Sequence, residues 1–137
     1  DEMNNRMNKK SGILGMIGTS SDFRDLDAAK KAGDEKAILA YDMFCYRIQL
    51  YIGAYVAAMN GVDAIAFTGG IGENSVGAKK QICEGLSFFG VELDEEKNAK
   101  RLPGNVELST ENSKVKIYKI ETAEELVIAR DTYELTK

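Results

Sequence analysis

The sequence predicts an α/β fold, a sheet flanked by helices, and three observations carry that reading. Apolar residues recur at spacings of three and four from about Asp34 to Asn60, which is the period of a long helix. The short apolar run Asp63–Thr68 passes straight into Gly69 and Gly70, as a parallel-type strand buried on both faces does before a connection. Two further strand-like runs and a last helix-like segment follow. At 137 residues with 44% hydrophobic side chains, the chain has one domain's worth of core, so residues 1–137 are read as a single domain.

Asp1 to Lys10, DEMNNRMNKK, has neither a start methionine nor a clear cap and reads as the interior of a larger protein. In Ser11 to Asp22 glycines fall at 12, 15 and 18 among apolar residues, a pattern that predicts a buried irregular loop. Ser20 or Ser21 is then placed to cap a helix from near Asp22. Asp22, Phe23 and Arg24 occupy its first turn, where unpaired N–H groups favour anions. On residues alone, Asp22 complements the dipole, Phe23 packs and Arg24 is solvated.

In the long helix Ile38, Tyr41, Cys45, Ile48, Ile52, Tyr55 and Met59 form the expected core stripe, with Gly61 ending the element. Phe44, Tyr51 and Tyr55 are alternatively placed to reach a partner subunit. The central strand Asp63–Thr68 follows, and then Gly69, Gly70 and Gly72 within four positions. A turn of that composition can take positive φ and leaves backbone N–H groups bare to a ligand, so it predicts a nucleotide or phosphate site. It matches neither G-x-x-x-x-G-K-[ST] nor G-x-G-x-x-G, which excludes a P-loop or Rossmann reading.

Asn74 or Ser75 caps a helix to Glu84, which Gly85 terminates. Leu86 to Val91 is a short hydrophobic connection. Asp94 caps a charged helix to Arg101, stopped ahead of Pro103 and Gly104. Val106–Ser109 and Lys114–Ile120 read as strands. Thr122 opens the last helix as a capping box with Glu125, and Leu126, Val127, Ile128 and Ala129 anchor it. Glu124, about 100° around the helix from Glu125, is left free to face a ligand or solvent.

The net charge of −4 and the absence of a dense Lys/Arg run exclude a nucleic-acid or anionic-membrane surface. The longest uncharged run, Ile48 to Val62, is too short to span a bilayer, so the chain is expected to be soluble. Cys45 and Cys83 lie far apart in apolar helical contexts and are expected to be reduced core thiols of a cytoplasmic protein. With no histidine, Ser-His-Asp, Cys-His and His-metal chemistry are excluded, and any metal is held by oxygen.

AIAFTGGIG resembles the adenosine motif of actin, heat-shock chaperone ATPases and sugar kinases. The longer string DAIAFTGGIGENS, with SGILGMIGTSSDFRD (Ser11 to Asp25) and ETAEELVIARDT (Glu121 to Thr132), resembles the C-terminal part of the acetate kinase family, with propionate kinases as close relatives. The likeness covers essentially the whole chain. It implies the C-terminal part of an actin-like (ribonuclease H-like) kinase domain, a nucleotide-binding fragment of a larger two-domain kinase using ATP/ADP and Mg2+. Asp22, Phe23 and Arg24 are then expected to line adenosine opposite Gly70, Ile71, Gly72, Glu73 and Asn74, with Glu124 a magnesium ligand. Acetate or acetyl phosphate, and the catalytic cations, belong to an N-terminal part, so no catalytic residue is expected here and the chain alone is expected to be inactive. The resemblance also implies a homodimer. The alternatives are a non-catalytic nucleotide-binding module and an interaction domain built on the long helix.

Overall fold

The computed structural model describes all of residues 1–137, and they form two compact units, Asp1–Asn60 and Gly61–Lys137. The first unit is helical: α1 (Glu2–Lys9), α2 (Gly12–Ile17), α3 (Phe23–Lys31) and α4 (Glu35–Met59). The segment expected to be a buried irregular loop is instead the helix α2, none of whose residues is buried. Its glycines act as punctuation, since Gly18 takes the left-handed position that ends the helix. Asp22, rather than Ser20 or Ser21, caps α3: its side chain accepts from the Arg24 N–H at 2.8 Å. Ser20 supports the cap, accepting from the Asp22 N–H at 3.0 Å and donating to Asp25 at 2.6 Å.

Asp34 caps α4 through the Ala37 N–H at 3.0 Å. At the other end Asn60, not Gly61, holds the left-handed position, with φ 59°. The core face of α4 is Ala37, Ala40, Tyr41, Cys45 and Val56, while Ile38, Tyr55 and Met59 of the expected stripe are exposed. The stripe is right in the middle and one residue out of phase at both ends. Hydropathy ranks isoleucine above alanine, but α2 and α3 pack on α4, and close approach favours the smallest side chains there. Phe23 of α3 sits between Tyr41 and Phe44, with ring centroids 5.1 and 4.8 Å away.

The second unit carries the sheet. β1 (Ala64–Phe67), β2 (Val106–Glu107) and β3 (Lys116–Lys119) lie in the order β1-β3-β2. β1 pairs parallel with β3, Ile65 opposite Ile117, and β2 runs antiparallel to β3, Glu107 opposite Tyr118. β1 was expected to be a central strand buried on both faces; it stands at the edge of the three, and burial alternates, Ile65 and Phe67 inside, Ala64 and Ala66 outside. The parallel pairing itself agrees with the sequence, because a β1–β3 crossover through helices is what parallel strands require.

Between β1 and β2 lie α5 (Gly69–Asn74), α6 (Val76–Glu84), a short 3-10 turn at Ser87–Phe89 and α7 (Glu95–Ala99); α8 (Glu124–Leu135) closes the chain. Ser75 caps α6 through the Ala78 N–H at 3.2 Å, and Asp94 caps α7 through the Lys97 N–H at 2.9 Å, as expected. Ala78, Ile82, Cys83, Leu86, Val115 and Ile117 are buried with the inner face of β1. Both cysteines are free and buried, and burial pushes the Cys45 thiol up to about 11 and Cys83 to about 12, so both are inert. α8 departs most from expectation: it buries no residue, and Leu126, Val127 and Ile128 are exposed rather than anchoring it. No helix is long and apolar enough to cross a membrane.

Candidate functional site

The glycine segment after β1 is ordered rather than open. Thr68 is extended, Gly69 turns the chain with φ 70°, and Gly69–Asn74 wind into the short helix α5. The expected loose turn is therefore a helix because its carbonyls are held. The Asn74 amide donates to the Gly70 carbonyl at 2.9 Å, and the Lys79 ammonium donates to the Gly72 and Glu73 carbonyls at 3.0 Å each.

The three glycines have different duties. A Cβ on Gly72 would lie 3.1 Å from the Phe67 carbonyl carbon, so this position is glycine because α5 folds back onto the end of β1. Gly70 has an ordinary φ and nothing within 4 Å of where a Cβ would stand. The bare surface that a ligand can lie against is therefore at Gly70, with Gly72 the packing glycine beneath it. Ile71 is half-buried and Asn74 exposed.

Glu73 points across the unit. Its carboxylate oxygen accepts from the Thr122 N–H at 3.0 Å and from the Thr122 hydroxyl at 2.9 Å. These bonds, followed by one from the Gly69 N–H, hold the Glu73 carboxyl below its usual range. The same contact overturns the capping box. Thr122 is committed to Glu73, the helix starts at Glu124 with Ala123 as its cap residue, and no side chain caps it. Glu125 is thus the second helical residue rather than the third, and the expected division of labour between Glu124 and Glu125 loses its geometric basis. Both glutamates line an open pocket of about 410 Å3 with Thr122, Ala123 and Leu126.

Asp22, Phe23 and Arg24 belong to the first unit. The Arg24 guanidinium grips the Asp22 carboxylate, 2.6 Å at the shortest. That bond and the Arg24 N–H lower the Asp22 carboxyl to about 2. Phe23 is buried in the aromatic group with Tyr41 and Phe44. Of this segment, only the Asp22–Arg24 pair is presented to solvent, and Phe23 anchors it.

Two lysines that sequence reasoning passed over complete the second unit's polar core. Lys119 donates to the Leu102 carbonyl at 2.8 Å and to Glu121 at 3.0 Å. Lys79 lies on α6 with its side chain 2% exposed. Its only sequence signal was its place in line with buried Ala78, Ile82 and Cys83, where a cation is out of pattern. Burial, aided by the positive charges of Lys119 and Arg101, lowers its amine to about 8.

Lys79→Met is expected to destabilise the fold by about 1–3 kcal/mol, because two carbonyls lose their donor. The sign of the pH effect follows from the lowered value. Between about 8 and 10.5 the native chain binds fewer protons than the unfolded one, so the stability contributed by Lys79 rises across that window and is flat below it. Urea midpoints of wild type and Lys79→Met at about pH 7 and about pH 10 check this; a gap that shrinks toward high pH contradicts it.

Comparison with known proteins identifies the lineage. The Acetokinase family profile matches residues 1–130. The chain belongs to the acetokinase family. It is 62% identical over 136 residues to an acetate kinase of Fusobacterium nucleatum, covering 99% of this chain and 34% of that protein. The crystal structure of Porphyromonas gingivalis acetate kinase matches with a TM-score of 0.85 at 42% identity, over 98% of this chain and 34% of that one. A propionate kinase from Francisella tularensis matches with a TM-score of 0.83 at 37% identity, over 93% and 32%. The chain therefore spans about a third of the length of the curated relatives it matches.

For an acetokinase-family chain the mixed α/β architecture agrees with the C-terminal part of an actin-like kinase. The residues also fit the groups such a kinase uses. The backbone at Gly70 faces open space, with nothing within 4 Å of where a Cβ would stand, so a ligand can approach it. Glu124 is exposed and lines the pocket, where its carboxylate is of the oxygen-donor type magnesium takes.

Proposed function

We propose that this chain is the nucleotide-side part of an acetate kinase, which interconverts ATP and acetate with ADP and acetyl phosphate by direct in-line phosphoryl transfer. The observation that carries the reading is the bare backbone surface at Gly70, just past the end of a parallel strand in a chain of this family. In this reading Gly70, Ile71, Gly72, Glu73 and Asn74 form the wall against which the adenine nucleotide lies. Arg24, fixed by Asp22, offers a planar cation to a base, ribose or phosphate. Phe23 holds that pair through its core contacts. Glu124 would hold magnesium through a carboxylate oxygen, and the ion would supply positive charge against that spreading over the transferring group. Acetate and the cations that stabilise the transferred phosphoryl group belong to the remaining length of the enzyme. The alternative reading is a propionate kinase, the activity named for the Francisella tularensis protein this chain resembles.

The reading is tested by following backbone amide resonances of the 137-residue chain during titration with ADP and MgCl2. Shifts are expected to cluster at Gly69–Asn74 and Asp22–Arg24; shifts elsewhere with both segments silent contradict it. Glu124→Ala is expected to raise the magnesium concentration needed for half-maximal response several-fold, while Glu125→Ala, which caps nothing, leaves both stability and the magnesium response close to wild type.

Homodimerisation and a cytoplasmic setting complete the proposal. α4 leaves Leu39, Met43, Tyr46, Leu50, Tyr51 and Tyr55 exposed, an apolar face of the kind that a partner surface covers. Phe44, by contrast, is half-buried against Phe23, so Tyr51 and Tyr55 are the partner-facing aromatics.

A further inference from the structure

α8 is held at its start by very little. It buries none of its residues and lacks a side-chain cap, and from Ala123 onward every side-chain hydrogen bond stays within the helix. Thr122 is the last residue bonded outside it, and both of its bonds go to one oxygen of Glu73. Glu73 itself lies in α5, and its carbonyl is fixed by buried Lys79 at 3.0 Å. A single side chain thus joins the glycine helix to the residue that leads into α8, where the pocket bearing Glu124 lies.

We propose that the Glu73 side chain is a positioning group, turned to Thr122 while its backbone stays in the nucleotide wall: through Thr122 it couples the glycine segment to the Glu124 end of α8, so that nucleotide and magnesium reinforce each other's binding. This rests on the nucleotide and magnesium roles proposed above for those two segments. A carboxylate is poorly suited to face phosphate oxygens, whereas a charged acceptor shared by an N–H and a hydroxyl is a strong, directional tie. Two ligands whose sites share one ordered element enhance each other reciprocally.

The test uses ADP as probe, with and without MgCl2, on the 137-residue chain and its Glu73→Ala, Glu73→Gln, Thr122→Val and Glu124→Ala variants. Titration calorimetry gives the factor by which magnesium tightens ADP, and amide hydrogen exchange reports Thr122. In the wild type the factor is expected to be about fivefold or more. Glu73→Ala is expected to bring it close to one, and Thr122→Val, which keeps the N–H bond and loses the hydroxyl bond, to lower it with little change in the affinity for ADP alone; both are expected to speed exchange at Thr122. Glu73→Gln, whose amide oxygen still accepts, is expected to restore most of it. Thr122→Val leaves the glycine helix its own residues, so the outcome does not hang on one variant's folding. If Glu73→Ala and Thr122→Val keep the wild-type magnesium factor while Glu124→Ala loses it, Glu73 is a structural contact alone and the coupling is overturned. If the wild type itself does not bind ADP, or magnesium leaves its affinity unchanged, the functional reading fails and takes the coupling with it.

Discussion

Assayed alone, the 137-residue chain is expected to form acetyl phosphate from ATP and acetate at a rate orders of magnitude below that of full-length family members. Phosphoryl transfer depends on positioned cations that meet charge on the equatorial oxygens as it develops. The cations placed beside the candidate segments are already engaged: Arg24 with Asp22, Lys79 with the Gly72 and Glu73 carbonyls, and Lys119 with the Leu102 carbonyl and Glu121. The chain has no histidine to replace them. A coupled assay for ADP release, with and without acetate, checks the expectation, and turnover comparable to an intact acetate kinase would refute it.

The second large effect separates two neighbouring glycines. Gly70→Val is expected to weaken ADP binding by at least about tenfold, equivalent to 1.4 kcal/mol, while leaving the melting temperature nearly unchanged, because its side chain enters open space at an ordinary φ. Gly72→Val is expected to cost about 1–3 kcal/mol of stability through overpacking, since its Cβ meets the Phe67 backbone at 3.1 Å. The sequence treats these glycines alike, and the structure separates them, Gly70 facing open space and Gly72 packed on Phe67. Thermal melts and ADP titrations of both variants decide it: binding lost in Gly72→Val only in proportion to unfolding, and retained in Gly70→Val, would place the nucleotide elsewhere.

Much of this was legible in the residues because it is local. Asp34 and Asp94 cap the helices they precede, Ser75 resolves the choice left open between itself and Asn74, and the run at Asp63–Thr68 is a strand paired in parallel. These depend on side chains that reach two to four positions along the chain or on a simple period, and the motif strings that placed the chain among acetate kinases are local too. The errors lie where a distant group competes. Thr122 followed by Glu125 is a sound capping box until Glu73, 49 residues away, takes both donors of Thr122. Gly69 to Gly72 reads as a turn until Lys79 reaches back to the Gly72 and Glu73 carbonyls. Ile38 belongs to the core stripe until packing against neighbouring helices prefers Ala37. Composition and period determined which elements form; tertiary contact decided which glycine is bare, which glutamate is committed and where the last helix begins, because a hydrogen-bond donor serves whichever acceptor the fold brings nearest.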